Sequence, residues 1–179
     1  NASLGQFNIS LPFYFIYNFL WHVLSFLDYN LILRLTMFVP IVFVSFYGSF
    51  LLSKKIVGKM SWVLLASSLV FCFNTYFLIL QTSQLTLAAA FSISPLVILF
   101  FIKTLESRKI TTAIMTGLLC FICSAYEARV SYIIIWVLFL YYLYYTFVID
   151  KISIKNILRN SFFASLPILI TLLLSSYWI

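Results

Sequence analysis

The sequence predicts an all-α, polytopic membrane protein, and its composition is the first reason. Of its 179 residues, 64% are hydrophobic and only 8% are charged, whereas a soluble domain carries about 25% charged residues. A soluble domain of this length could not remove so much apolar surface from water. A soluble globular enzyme is therefore excluded. Disorder is excluded as well, because aromatic residues make up 20% of the chain and Pro and Gly number only four each.

Charge-free windows predict six membrane-spanning helices, because a helix needs about 20 apolar residues to cross a bilayer. The first span covers 35–53 and begins near Leu31. The window 60–102 carries no charge and is long enough for two spans, which the polar cluster 81–84 divides. The last three spans are 110–126, 130–149 and 160–179. The chain thus divides into an outer segment, 1–30, and a six-span bundle, 31–179.

The basic residues test this span count. Nine of the eleven Lys and Arg residues fall in alternate loops: Lys54, Lys55 and Lys59; Lys103, Arg108 and Lys109; Lys151, Lys155 and Arg159. Because short cytoplasmic loops collect Lys and Arg, these loops are predicted on the cytoplasmic side. The loops at 28–30, 81–84 and 125–129 are then outside. The net charge of +7 accordingly marks an inner membrane face rather than a nucleic-acid partner.

The segment 11–27 is predicted to lie in the membrane interface instead of crossing the bilayer. Asn18, His22 and Ser25 are spaced four and three residues apart, so they share one helix face. The opposite face is Phe and Leu, which is typical of an interfacial amphipathic helix. Residues 1–10 then lie outside, where the glycosylation sequons beginning at Asn1 and Asn8 would be usable. A spanning helix, which would place residues 1–10 inside, is the alternative.

Six polar side chains on the predicted outer side are candidates for a binding site: Asn18, His22, Asp28, Arg34, Glu127 and Arg129. Ionisable residues in or near a membrane are costly, and they often mark functional sites. Arg binds phosphate through a fork of N–H donors, and a carboxylate can act as a base toward a hydroxyl. The set therefore suits a lipid with a phosphate headgroup. A structural interpretation also stands, in which Glu127 and Arg129 pair with other residues of a tight turn and Arg34 extends to headgroups.

Three cysteines, Cys72, Cys120 and Cys123, lie inside apolar windows. The spacing Cys120-x-x-Cys123 occurs in redox and metal sites, but no His or acidic residue stands beside it to complete one. We therefore predict that the cysteines are small buried hydrophobes and that the chain holds no metal-ligating cluster.

Several short motifs occur in an order that resembles a known group of enzymes. They are Leu11-Pro12-Phe13-Tyr14-Phe15, Arg34 at the start of a span, Ser53-Lys54-Lys55, Phe73-Asn74, Ser94-Pro95-Leu96, Tyr126-Glu127-Ala128-Arg129 and Tyr177-Trp178-Ile179. In this order the chain resembles the amino-terminal membrane module of GT-C superfamily glycosyltransferases. Within that superfamily it is most similar to archaeal relatives of the arabinofuranosyltransferase AftD and of YfhO-like proteins.

The resemblance implies an enzyme that transfers a sugar, with inversion, from a polyprenyl-phosphate donor at the outer face of the cytoplasmic membrane. In that family the base is an acidic residue of the first outer loop, which would precede Asn1 in a longer chain. The resemblance further implies that Arg129 and Arg34 neutralise the lipid phosphate. Glu127 would orient a sugar hydroxyl or a divalent cation, while His22 and Asn18 would face the acceptor.

Two other functions stay open at this point. The helices could serve only for packing, in a non-catalytic accessory subunit that binds other membrane subunits. The chain could instead be a transporter of lipid-linked sugars, which would need broken helices at mid-membrane depth. Asn74, Pro40 and Pro95 are the residues that hint at such breaks. In all three cases the partners are membrane lipids and not nucleic acid.

Overall fold

The computed structural model describes residues 22–23, 35, 38–58, 61–74, 77–78, 84–150 and 153–176. Within these ranges the regular secondary structure is helical throughout. Several predictions lie outside the described residues. They concern residues 1–21, which include Asn18, together with Asp28, Arg34, most of the predicted interfacial helix and most of the polar cluster 81–84.

Six main helices follow one another in the part of the chain that the structure describes. They are α1 (Val39–Val57), α2 (Ser61–Phe73), α3 (Leu85–Ser107), α4 (Ile110–Tyr126), α5 (Ala128–Tyr144, continued by a π-helical turn, Tyr145–Ile149) and α6 (Ile154–Ser175). Four of them are long and apolar enough to cross a membrane: α1, α3, α5 with its π-helical turn, and α6. Helices α2 and α4 are apolar but shorter. In the described residues the fold is therefore all-helical, with four candidate membrane spans.

Three helices extend beyond the predicted spans at their basic ends. Helix α1 covers Val39–Val57, α3 ends at Ser107 and α6 begins at Ile154, so that Lys54, Lys55, Lys103, Lys155 and Arg159 lie on helices and not in loops. The physical reason is that Lys and Arg are good helix formers. A helix can therefore continue past the edge of the hydrocarbon region, while a charge count ends the span at the first cation.

Helix α2 is shorter than the span predicted between 60 and the 81–84 cluster. It ends at Phe73, where the side chain of Asn74 bonds the backbone on both sides. Asn74 Nδ2 donates to the carbonyl of Phe71 at 2.6 Å, and Asn74 Oδ1 accepts from the N–H of Phe77 at 2.8 Å. Asn side chains compete in this way with helical hydrogen bonding, so α2 ends before Asn74, while α3 begins at Leu85, directly after Gln84.

Helix α3 lies at the centre of the bundle, packed against α1, α4, α5 and α6. Half of its apolar stretch is buried inside the protein, a larger share than in the other candidate spans. Its side chains Val97, Phe101 and Leu105 form the main core together with Cys123 of α4 and Leu138 of α5. The position of α3 fixes where α4 and α5 meet, and the candidate site lies at that junction.

The charged residues distinguish one end of the bundle from the other. Lys55 Nζ lies 2.6 Å from Glu106 Oε2, and Arg108 Nη2 lies 2.7 Å from Asp150 Oδ2, so the basic ends of α1, α3, α5 and α6 are together. We call this the basic end; its described cations are Lys54, Lys55, Lys103, Arg108, Lys109, Lys155 and Arg159. Helix α4 leads away from it for 17 residues, about 25 Å. Glu127, which follows α4, therefore lies at the opposite end.

Candidate functional site

Glu127 and Arg129 form an ion pair at the junction of α4 and α5. Glu127 is the extended residue between the two helices, with φ −158° and ψ 106°. Its N–H donates to the carbonyl of Cys123 at 3.0 Å and its own carbonyl accepts from the N–H of Ser131 at 3.4 Å. The last turn of α4 and the first turn of α5 thereby hold the Glu127 backbone in place. Arg129 Nε donates to Glu127 Oε1 at 2.7 Å.

The two partners of this pair differ in exposure. The Arg129 side chain is 76% exposed, while that of Glu127 is 18% exposed. A guanidinium has five N–H donors, and one nitrogen of Arg129 contacts Glu127. The exposed guanidinium can be approached by an anion from the membrane surface, while the carboxylate lies below it. The pair also has the geometry of a local contact within a tight turn, as the structural interpretation expects.

The hydrogen bond from Arg129 lowers the pKa of the Glu127 carboxyl group below its ordinary value, against a smaller raising effect of burial. Glu127 is therefore ionised at neutral pH. A carboxylate with a lowered pKa is a weak general base, but it is a strong hydrogen-bond acceptor. The electrostatics of the pair suit Glu127 to binding and orienting hydroxyl groups rather than to removing a proton.

An apolar cleft of about 460 Å³ opens between α5 and α6. Its walls include Ile134 and Leu138 of α5 and Ala164 and Ile168 of α6, and α4 contributes Cys120 to its lining. Cys123 also lines the cleft, and Cys72 and Cys123 are buried, as predicted for small hydrophobes. Hydrocarbon is the ligand chemistry that this lining accepts.

Hydroxyl groups mark the two ends of the cleft. Toward the basic end, the Tyr142 and Ser161 hydroxyls lie 2.7 Å apart and join α5 to α6. Toward the other end, the lining includes Ser124 and Ser131, which stand three residues before and four residues after Glu127. From Ser131 to Tyr142 the cleft follows eleven residues of α5, about 16 Å. The long axis of the cleft thus ends one helical turn from the Glu127–Arg129 pair.

The structure brings together two of the six predicted site residues, Glu127 and Arg129. His22 lies in a short helical stretch, 22–23, and is exposed. Asn18, Asp28 and Arg34 lie outside the described residues. In the part of the chain that the structure describes, no three His, Cys, Asp or Glu side chains come close enough to hold a metal ion.

Sequence reasoning missed a second polar cluster, at the basic end. Arg108 and Arg159 were predicted as ordinary cytoplasmic cations, yet Arg108 binds Asp150 and is also 3.5 Å from Asn160 Oδ1. Asn160 is fully buried. The signal was present in the acidic residues: Glu106 and Asp150 stand among basic residues, and each of them forms an ion pair with a cation of another loop or helix.

Comparisons of the chain with protein families, with curated proteins and with solved structures find no match.

Proposed function

We propose that this chain is the membrane module of a glycosyltransferase that takes its sugar from a polyprenyl-phosphate donor outside the cytoplasmic membrane. The observation that carries the proposal is the position of a guanidinium–carboxylate pair at one end of an apolar cleft. The donor has the same sequence of parts: a long apolar chain, an anionic phosphate and a sugar rich in hydroxyls. The cleft, Arg129 and Glu127 would bind these three parts in that order.

The cleft contributes position more than affinity. Lipid tails already surround the helices, so moving a polyprenyl chain from lipid into the cleft gains little from the hydrophobic effect. The cleft instead holds the polyprenyl chain in a fixed position between α5 and α6, so that the phosphate is always at the same place. Holding reactants in one geometry is a large part of enzymatic rate enhancement. The affinity then comes from the polar end.

Arg129 supplies the charge at that end. Its guanidinium can bind a phosphodiester oxygen through charge-assisted hydrogen bonds, each stronger than a neutral one. In the reaction the bond between the anomeric carbon and the phosphate oxygen breaks, and the same carbon bonds to the acceptor oxygen. Polyprenyl phosphate leaves with an additional negative charge, which Arg129 stabilises. The acceptor proton passes to a base.

Glu127 orients the sugar and is not that base. The same hydrogen bond that lowers its pKa makes its carboxylate a poor proton acceptor at neutral pH. It can accept hydrogen bonds from two sugar hydroxyls and so set the face of the anomeric carbon. The base belongs to the acidic residue of an earlier outer loop, as the GT-C resemblance implies.

The same proposal includes six spans, an interfacial helix over 11–27 and a cytoplasmic location for the basic end. Counting α2 and α4 as spans brings the number to six and leaves the three basic groups on one side. The contacts Lys55–Glu106 and Arg108–Asp150, which hold these groups at one end, support this count. The positive-inside rule then assigns that end to the cytoplasm and the Glu127 end to the outer face.

The test uses the full-length protein, reconstituted in lipid vesicles, with polyprenyl-phosphate sugar as the donor. Arg129→Ala should weaken donor binding about tenfold or more, the usual effect of losing a hydrogen bond to a charged group. Glu127→Gln should lower transfer more than binding, because the amide keeps the shape but loses the negative charge. Lys103→Gln, which removes an exposed cation from the other end, is the matched control and should change neither.

Survival of both binding and transfer in Arg129→Ala and Glu127→Gln would overturn the assignment. Donor binding without transfer in the wild-type protein would favour the accessory-subunit alternative. Net movement of donor between leaflets in sealed vesicles, without transfer, would favour the transporter.

A further inference from the structure

A hydrogen-bonded network joins the loops and helices at the basic end. Arg108 Nη2 donates to Asp150 Oδ2 at 2.7 Å, and Asn160 Nδ2 donates to the same oxygen at 3.0 Å. Asn160 is fully buried, and the Arg108 and Asp150 side chains are mostly buried. The network is therefore mostly buried in the protein and is not an ion pair exposed at its surface.

A second guanidinium belongs to the same network. Asn156 Nδ2 lies 3.5 Å from Asp150 Oδ1, and Arg159 Nη2 donates to Asn156 Oδ1 at 2.8 Å. The chain of contacts thus runs from Arg108 through Asp150 and Asn156 to Arg159. It contains two guanidinium groups and one carboxylate, so its formal charge is +1.

Three buried polar atoms at this end have no hydrogen-bond partner among the described residues. They are the Nε of Arg108, the Nε of Arg159 and the Oγ1 of Thr146. Thr146 follows Tyr145, whose carbonyl accepts from the N–H of Asp150 at 2.9 Å. All three atoms can donate a hydrogen bond, and a buried donor without an acceptor is costly, most of all on a charged group. Two of these donors belong to the positive network and the third lies at the same end of the bundle, and an anionic acceptor would satisfy them.

We propose that this cluster, Arg108, Arg159 and Thr146 with Asp150 and Asn156, is a binding site for a phosphate group. Phosphate oxygens accept from guanidinium N–H groups in the geometry that Arg presents. A phosphodiester carries one negative charge, which balances the +1 of the network and leaves the Arg108–Asp150 pair intact. The site lies at the opposite end from Glu127 and is independent of the proposed transfer reaction.

The surroundings of the cluster favour the headgroup of an anionic phospholipid as the source of that phosphate. The π-helical turn after α5 exposes Phe147, Val148 and Ile149, and the first turns of α6 expose Ile154 and Leu158. Apolar side chains exposed beside a basic cluster meet lipid tails and headgroups together, which is how basic pockets at the cytoplasmic side bind anionic lipids. Inorganic phosphate has the same acceptor chemistry and is the second source that the experiment must distinguish.

The experiment measures thermal unfolding of the full chain in nanodiscs. One arm adds phosphatidylglycerol to phosphatidylcholine, and the other adds inorganic phosphate to nanodiscs of phosphatidylcholine alone. Native mass spectrometry of the same samples counts retained phosphatidylglycerol. The variants are Arg159→Gln, which removes one guanidinium, and Arg108→Lys, which keeps the charge beside Asp150 but removes the Nε–H donor. Lys103→Gln is the control, because it removes the same charge from the same end outside the cluster.

We expect phosphatidylglycerol to raise the unfolding temperature and to be retained by the wild type. In Arg159→Gln and Arg108→Lys, about ten times more phosphatidylglycerol should be needed for the same rise in unfolding temperature. Lys103→Gln should leave the required concentration unchanged. Inorganic phosphate alone could raise the unfolding temperature of the wild type but not of the two arginine variants. That result would support the phosphate site and identify free phosphate as its ligand. A loss of response in Lys103→Gln equal to that in Arg159→Gln would mean diffuse surface charge and would overturn the proposal. So would the absence of any response in both arms.

Discussion

Gly117 of α4 lies directly against Ile170 of α6. A Cβ atom built on Gly117 would be 2.8 Å from both Cβ and Cγ2 of Ile170 and 3.1 Å from the carbonyl oxygen of Pro167. The Thr171 hydroxyl also reaches across the helices, to the Gly117 carbonyl at 3.1 Å. Small residues allow membrane helices to approach this closely. The contact fixes the distance between α4 and α6, and α6 is one wall of the cleft.

Gly117→Ala should therefore destabilise the protein by about 1–3 kcal/mol, the usual cost of overpacking. The atoms in the way belong to the Cβ branch of Ile170 and to backbone, which cannot rotate aside. Gly48→Ala is the matched comparison, because its nearest neighbour is Leu96 Cγ at 3.0 Å, part of a more flexible side chain. Reversible unfolding in mixed micelles measures both. Equal losses in the two variants would contradict the close α4–α6 contact.

The sequence predicts the type of fold well, because hydropathy is a property of local segments. The predicted span 110–126 coincides with α4 (Ile110–Tyr126), since Lys109 and Glu127 bound the apolar run on either side. The Glu127–Arg129 contact was also within reach, because the two residues are two positions apart. These features need no knowledge of how the helices cross.

Features that depend on helix packing were not predictable in this way. The cleft results from how α4, α5 and α6 pack, and the contact of Gly117 with Ile170 sets only the distance between α4 and α6. The Arg108–Asp150 pair joins residues 42 positions apart, and no periodicity connects them. The predicted spans ended too early for α1 and α3 and began too late for α6, because the charge count cannot tell a helical lysine from one in a loop.

Filling the cleft should block the donor without unfolding the protein. Ile168→Trp places an indole on the cleft wall, whereas Leu169→Trp places the same group on the neighbouring residue, which is exposed and does not line the cleft. We expect Ile168→Trp to weaken binding of the polyprenyl-phosphate sugar about tenfold or more and Leu169→Trp to leave it near the wild-type value. Donor titration monitored by intrinsic fluorescence measures both, with unfolding curves to confirm that each variant is folded. Equal affinities would show that the lipid chain does not occupy the cleft.

Removing the guanidinium should raise the pKa of Glu127. The hydrogen bond from Arg129 is the largest cause of the lowered value, so Arg129→Gln should bring the pKa up toward or above the ordinary 4.5. In the wild type the stabilisation from this pair is fully present above the ordinary pKa and is lost as the pH falls through the lower folded-state pKa. The effect on stability is small, since exposed pairs contribute about 0–1 kcal/mol.

Infrared titration of the protonated carboxyl band, with the spectrum of Glu127→Gln subtracted, measures this pKa directly. Arg129→Lys serves as the control, because a lysine at position 129 keeps the positive charge and should preserve part of the lowered value. An unchanged Glu127 pKa in Arg129→Gln would mean that the ion pair does not form in the membrane.

The central claim is that the Glu127–Arg129 pair faces the outside of the cell and the basic end faces the cytoplasm. Ala128→Cys and Ile56→Cys test it, because both positions are exposed and lie at opposite ends of the bundle. Each is made in a background without Cys72, Cys120 and Cys123, and a membrane-impermeant thiol reagent is added to intact cells. We expect position 128 to be labelled in intact cells and position 56 to be labelled only after the cells are opened. Labelling of position 56 in intact cells, with position 128 protected until lysis, would contradict it.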